Sequence, residues 1–169
     1  MDYVFNAWYV AGWSSEFDQQ LCTREMLEQQ LVMFRNSKGL VVALEDRCPH
    51  RQLPLSHGKR IGDDIQCGYH GLTFDCSGRC VRIPGADSIP KTAYVESYPV
   101  EEAHGIVWVW MGDNDKADIK EIPELPVHDM DKWVHVVGKY NYMEGSYILL
   151  HENLCDLSHL PFLHATTFK

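Results

Sequence analysis

The sequence contains no long apolar run. Its longest, Ile106–Met111, is six residues, against the roughly 20 that a membrane-spanning helix needs. The opening Met1-Asp2-Tyr3-Val4-Phe5-Asn6 lacks the basic start and apolar stretch of a secretion signal. Basic residues are scarce: 15 Lys and Arg against 24 Asp and Glu give a net charge of −9. That balance excludes general nucleic-acid binding, which depends on cations neutralising phosphates. Internal repeats and low-complexity tracts are missing too, which excludes solenoids and biased linkers. These absences predict a cytoplasmic protein with no membrane segment and no nucleic-acid partner. What is present is 169 residues, 45% apolar and 23% charged, the composition of a soluble globular chain. The length suits one domain, or one complete domain and part of another. About two-thirds of the unfolded surface can be buried at this size, so no disulfide staple is required. Six cysteines in a non-secreted chain then point to metal or free thiols.

Four of the metal-binding side chains lie in two short motifs, Cys48-Pro49-His50-Arg51 and Cys67-Gly68-Tyr69-His70-Gly71, with sixteen residues between His50 and Cys67. Each motif offers one thiolate and one imidazole. Iron–sulfur clusters select soft sulfur, and imidazole is a neutral nitrogen donor. Two ligands of each kind are what a Rieske [2Fe–2S] centre needs, where His replaces Cys on one of the two irons. Gly68 and Gly71 permit tight turns and Pro49 stiffens the first loop. The competing reading is structural zinc, which also accepts two Cys and two His. Zinc pairs usually come as Cys with Cys and His with His, whereas both pairs here are mixed.

Taken in order, residues 3–13 read as a strand and turn. The run Glu25–Asn36, a turn over Asn36–Gly39 and the strand Leu40–Leu44 form a hairpin that leads into the first motif. Pro54–His57 suits one helical turn, Ile65-Gln66 a short strand, Leu72–Phe74 another, and Asp75–Gly78 a hairpin turn before Cys80-Val81. Cys76 and Cys80 flank that turn and read as buried or free thiols. Val95–Val100 and Ile106–Met111 are further strands. Many short strands with Gly and Pro turns indicate an antiparallel sandwich or small barrel. The acidic stretch Asp113–Glu121, followed by Pro123 and Pro126, marks a boundary, giving domains 1–115 and 116–169. Beyond it, Trp133–Tyr142 reads as a strand, and residues 144–159 as a helix carrying Leu149, Leu150, Leu154 and Leu157 at helical spacing.

On that helix Asn153, Asp156 and His159 recur every third residue and share a face. His164 follows His159 by five positions, which an ideal helix turns about 140° away. Pro161 between them breaks or kinks the helix, which lets His164 swing back toward His159. Two imidazoles so placed suit a mononuclear Fe(II) site of the two-His-one-carboxylate kind; capped or solvated histidines are the plainer alternative.

Together the two motifs resemble those of the Rieske non-haem iron aromatic ring-hydroxylating oxygenases, oxygenase (alpha) subunit. The three-residue step from Asn153 to Asp156 and the opening Asn6-Ala7-Trp8-Tyr9-Val10-Ala11-Gly12 are similar to the single-component vanillate and dicamba demethylases. Ring cis-dihydroxylases commonly place that asparagine one residue further upstream. The resemblance implies a mainly-β fold: an antiparallel Rieske-type β-sandwich followed by the helical start of a catalytic α+β domain. It implies a [2Fe–2S] Rieske cluster on Cys48, His50, Cys67 and His70, and a mononuclear Fe(II) on His159 and His164. The third, carboxylate ligand of that iron would arise beyond Lys169. It implies catalytic roles for Asn153 and Asp156, with Asp156 bridging its own His159 to His70 of a neighbouring subunit in a homotrimer. Electrons would come from NAD(P)H through a separate flavin or ferredoxin-type reductase. Dioxygen and an aromatic acid would be the substrates, and O-demethylation or hydroxylation the reaction. An electron carrier of the Rieske ferredoxin kind, an inactive fragment of the oxygenase and a zinc-stapled binding module are the alternatives.

Charge is unevenly spread. From Arg47 to Lys91 there are seven basic and four acidic residues, so that segment is +3 and the remainder −12. Such an island could steer an acidic electron donor; solvated loop charge is the plainer reading.

Overall fold

Backbone pairing begins at Ala7 and is antiparallel throughout in the computed structural model, which describes residues 3–125, 134, 136, 138 and 141–167. The chain divides into two units, Met1–Val137 and Gly138–Lys169. Among the described residues, three sheets make up the first. One joins β1 (Ala7–Trp13), β11 (Ile106–Met111) and β10 (Val100–Ala103) in the order β1-β11-β10. The second is β2 (Cys22–Met26), β3 (Gln29–Arg35), β4 (Val41–Glu45) and β9 (Ser97–Tyr98), neighbours in that order. The third is a four-strand meander of β5 (Lys59–Ile61), β6 (Asp64–Gln66), β7 (Thr73–Phe74) and β8 (Cys80–Arg82). The mainly-β, sandwich-type expectation holds.

The apolar runs of β3 and β4 explain the layering. Successive strand residues face opposite ways. Val32, Phe34, Val42 and Leu44 enter a core with Leu55, Ile65 and Phe74. Leu31, Met33, Val41 and Ala43 enter a second core with Val107, Val109 and Met111. A strand buried on both faces must read as continuous hydrophobics rather than alternate. Each such aliphatic side chain contributes about 1.5–3 kcal/mol of burial. The first core also holds Cys48, Cys67 and Leu72, so the floor beneath both motifs is solid hydrocarbon.

Three sequence expectations change. The run Glu25–Asn36 is not one strand, because β2 and β3 fold back through Leu27 and Glu28, whose φ values are 51° and 63°. Val95–Val100 is likewise split. Pro99 lacks the N–H a ladder needs, so β9 pairs with β4 while β10 crosses to β11. In the second unit the helix is broken: α1 spans Tyr147–Cys155, a 3-10 turn follows over Leu157–His159, and α2 is Leu160–Leu163. Asp156 is the break, with φ −89° and ψ 91°. Pro161 lies in the first turn of α2, where a missing N–H costs nothing. Asn153, Asp156 and His159 therefore do not lie along one continuous helix. Leu149, Leu154 and Leu157 are exposed. Half of the strand expected over 133–142 falls outside the described residues, and the described ones, 134, 136, 138, 141 and 142, are in no strand.

Candidate metal centres

The two cysteine motifs fold into matching loops. In the first, the Cys48 amide donates to the Leu53 carbonyl at 2.9 Å and the Gln52 amide to the Cys48 carbonyl at 2.9 Å. In the second, Cys67 donates to Leu72 at 2.8 Å and Gly71 to Cys67 at 3.1 Å. The fifth residue of each loop is left-handed: Gln52 at φ 63° and Gly71 at φ 75°. The loops Cys48–Leu53 and Cys67–Leu72 are thus structural equivalents, differing in where the histidine stands.

Neighbouring segments fix both loops. Asp46, only 7% exposed, accepts from the Ser56 amide at 2.7 Å and the Ser56 hydroxyl at 2.6 Å. That bond closes the base of the first loop onto the turn Leu55–His57. The second loop is set by backbone contact. A Cβ on Gly58 would lie 2.1 Å from the Gln66 carbonyl oxygen, and one on Gly68 would lie 3.0 Å from that of His57. Only chains without side chains at these points can pass so closely, and the crossing sets where Cys67 begins.

Both sulfurs point inward and both imidazoles outward. Cys48 and Cys67 are each 2% exposed, whereas His50 and His70 are exposed. Burial pushes the Cys48 thiol above its ordinary pKa; the amides of His50 and Arg51 pull the other way, and its hydrogen bond to Cys67 adds to the rise. The His50 and His70 rings stand edge to face, 4.5 Å apart, and Tyr69 tilts over His70 at 3.9 Å. Sulfur therefore neighbours sulfur and imidazole neighbours imidazole. Two irons of different ligation need that sorting, while one tetrahedral zinc needs all four donors around a point. Among the described residues no three His, Cys, Asp or Glu side chains gather as a single-ion site.

In the second unit the His159 and His164 rings lie 5.4 Å apart. Asp156 caps the 3-10 turn that carries His159, accepting from the Ser158 amide at 3.0 Å and the Ser158 hydroxyl at 2.5 Å. These bonds hold the Asp156 carboxyl below the usual carboxylate range, with a smaller contribution from His159. Asn153 stands on α1, one turn ahead of Asp156. Cys22, Cys76 and Cys80 form no disulfide and donate to backbone carbonyls.

Sequence reasoning missed Asp46, Ser56, Gln52 and Tyr69. The first three act on backbone geometry rather than chemistry. Asp46 and Ser56 lie outside the two six-residue loops 48–53 and 67–72, and the role of Gln52 shows only in its backbone hydrogen bond and positive φ.

Residues 7–99 match the Rieske [2Fe-2S] domain family and residues 143–169 the vanillate O-demethylase oxygenase C-terminal domain. The chain is 42% identical to the iron–sulfur subunit of the toluene-4-sulfonate monooxygenase system of Comamonas testosteroni, covering 98% of this chain and 48% of that one. It is 40% identical to the oxygenase component of dicamba O-demethylase from Stenotrophomonas maltophilia, covering 97% and 48%. The crystal structure of dicamba monooxygenase bound to dicamba superposes with a TM-score of 0.91 at 38% identity, covering 98% of this chain and 49% of that chain. The chain spans about half the length of these relatives. Among the described residues no helix is long and apolar enough to cross a membrane. With the paired loops, the domain match and these relatives in agreement, the chain belongs to the Rieske [2Fe-2S] domain family and is similar to the first half of the oxygenase components of the dicamba and vanillate demethylases.

Proposed function

We propose that this chain forms the electron-accepting part, and the start of the oxygen-activating part, of an aromatic monooxygenase. Cys48 and Cys67 would hold one iron of the cluster and His50 and His70 the other; His159 and His164 would hold a mononuclear Fe(II). When bound, the cluster supplies one-electron transfer and the single iron supplies oxygen activation. The observation that carries this reading is the sorting of donors in the paired loops, sulfurs buried and imidazoles at the surface. A donor set so arranged keeps thiolate charge in a dry floor and presents the nitrogen-ligated side to partners. A solved relative, dicamba monooxygenase, is described with non-heme iron and dicamba, which supports the second metal.

The residues of the second unit have their own tasks. Ser158 keeps Asp156 ionised and aimed, so its carboxylate accepts a hydrogen bond from an imidazole N–H. In a homotrimer that imidazole would be the His70 of a neighbouring copy, with His159 on the other side of the bridge. Asn153 would sit beside the same iron. The electrons would come from NAD(P)H through a reductase. The substrate would be an aromatic acid, because relatives are named for toluene-4-sulfonate, dicamba and vanillate; the reaction would be O-demethylation or hydroxylation. A simple carrier needs neither His159 nor His164, and the family match over 143–169 favours the oxygenase. In the protein carrying the complete catalytic domain, Asp156→Ala should retain both metals and lose substrate-dependent oxygen uptake. Normal uptake by that variant would refute the bridge.

A further inference from the structure

The segment that follows β8 folds back on the hairpin leading into it. The Cys80 amide donates to the Ala93 carbonyl at 3.0 Å and the Val95 amide to the Gly78 carbonyl at 2.8 Å. Between those bonds Arg79 stands opposite Tyr94 in an antiparallel bridge. Opposed residues of such a pair leave by the same face, and their chain neighbours by the other. Cys80 and Val95 accordingly enter the first core, while Arg79 and Tyr94 stay exposed. A turn over Pro90–Ala93, closed by the Ala93 amide on the Pro90 carbonyl at 2.9 Å, sets Lys91 on the rim they share. The result is a groove of about 590 Å³, inside the range of roughly 300–1,000 Å³ typical of small-molecule sites.

Its lining divides into two chemistries. Arg79 and Lys91 supply cations, and among the described residues neither side chain has a hydrogen-bond or carboxylate partner. Tyr94 supplies an exposed ring, and Ile89, Pro90 and Ala93 supply apolar surface. No Asp or Glu lines the groove, and neither cysteine–histidine motif contributes to it. The acids nearest in sequence, Asp75, Asp87 and Glu96, lie outside it. Asp75 is moreover engaged in its own turn, where its Oδ1 accepts from the Ser77 amide at 2.8 Å, the Ser77 hydroxyl at 2.6 Å and the Arg79 amide at 3.1 Å. Two cations on one rim repel each other, and an anion between them replaces that repulsion with attraction. A bare anion would leave Ile89, Pro90 and the Tyr94 ring in water, whereas a ring carrying the anion covers them as well.

We infer that this groove binds a single-ring aromatic carboxylate or sulfonate, its anionic group held by Arg79 and Lys91 and its ring laid against Tyr94, Ile89 and Pro90. The guanidinium offers paired N–H donors that match the oxygens of such a group, and the ammonium adds a point charge. This is a binding function of the first unit, and it depends neither on the cluster nor on the mononuclear iron.

The test titrates toluene-4-sulfonate into the full chain, followed by amide NMR shifts and calorimetry, with no turnover required. Sulfate serves as the anion without the ring and benzyl alcohol as the ring without the anion. Toluene-4-sulfonate should saturate, with shifts concentrated on residues 77–80 and 89–94, and the other two probes should bind about tenfold more weakly or worse. Arg79→Gln/Lys91→Gln should raise Kd about tenfold or more. Lys38→Gln/Lys59→Gln removes two exposed cations outside the groove and should change Kd less than about twofold. Tyr94→Ala should raise it about fivefold. No saturable shift at millimolar probe, shifts centred elsewhere, equal binding of sulfate or benzyl alcohol, or equal weakening by both charge pairs overturns the site. So do concentration-dependent shifts of the same amides without any probe, because a second copy would then fill the groove. The titration of the unaltered chain decides the question even where a variant fails to fold.

Discussion

Gly58→Ala probes the backbone crossing that sets the second cluster loop. Gly58 has an ordinary φ of −87°, so alanine meets no conformational obstacle and the whole effect is steric. Its Cβ would sit 2.1 Å from the Gln66 carbonyl oxygen and 2.9 Å from that of Leu55. Relief requires the two backbones to part by about 1 Å, and overpacking of this kind costs about 1–3 kcal/mol, occasionally more. At the upper figure Tm falls roughly 6–12 °C for a chain of this size. Cys67 follows Gln66 directly, and metal ligation tolerates only about 0.2 Å, so cluster content should fall further than stability does. Gly78→Ala separates the two effects. Its Cβ would meet the Val95 carbonyl oxygen at 2.1 Å, a clash as close as that at Gly58, to which its φ of 80° adds left-handed strain, but at the hairpin tip away from the loops. The assay is thermal unfolding beside iron and acid-labile sulfide per chain. Gly58→Ala should lose cluster and stability, Gly78→Ala stability alone. Full cluster in Gly58→Ala, or equal cluster loss in both, would refute the reasoning.

Three further outcomes are expected. Ser56→Ala strips the hydroxyl from the buried Asp46 carboxylate and should cost about 1.5–3 kcal/mol in denaturant unfolding. Gln52→Val places a β-branched residue at φ 63° and should cost about 1–2 kcal/mol, whereas Gln52→Gly should stay within about 1 kcal/mol of the parent. Hydrogen bonds from Arg35 hold Glu102 below its ordinary pKa, with Ser14 adding to the effect. Its contribution to stability is therefore complete above the unfolded value of about 4.3 and is lost as pH falls through the lower folded value. Glu102→Gln should flatten that part of the acid limb in a Tm–pH series.

Much of the architecture was legible because the chain announces its turns. Asn36–Gly39 and Asp75–Gly78 carry the residues those bends require, and Ile106–Met111 is a strand end to end. What was hidden lacked chemical punctuation. The β2–β3 turn needs two positive φ values, usually signalled by Asn or Gly, yet here Leu27 and Glu28 adopt them. Strand β5 is three residues of Lys, Arg and Ile, too short to show a period. The helix break at Asp156 escaped because Pro161 looked like the stronger breaker. Its place in a first turn made it harmless, while the Asp156 cap on Ser158 ended α1 instead. The metal-binding residue types were readable from spacing alone. The equivalence of the two loops was not, because it lives in hydrogen bonds and one left-handed glutamine.

The most direct measurement is iron, acid-labile sulfide and low-temperature EPR on the chain produced with ample iron and sulfide. The account predicts a brown protein whose loops bind two irons and two sulfides, with a rhombic signal on reduction that disappears in Cys48→Ser. A colourless chain carrying one zinc and no sulfide would contradict it.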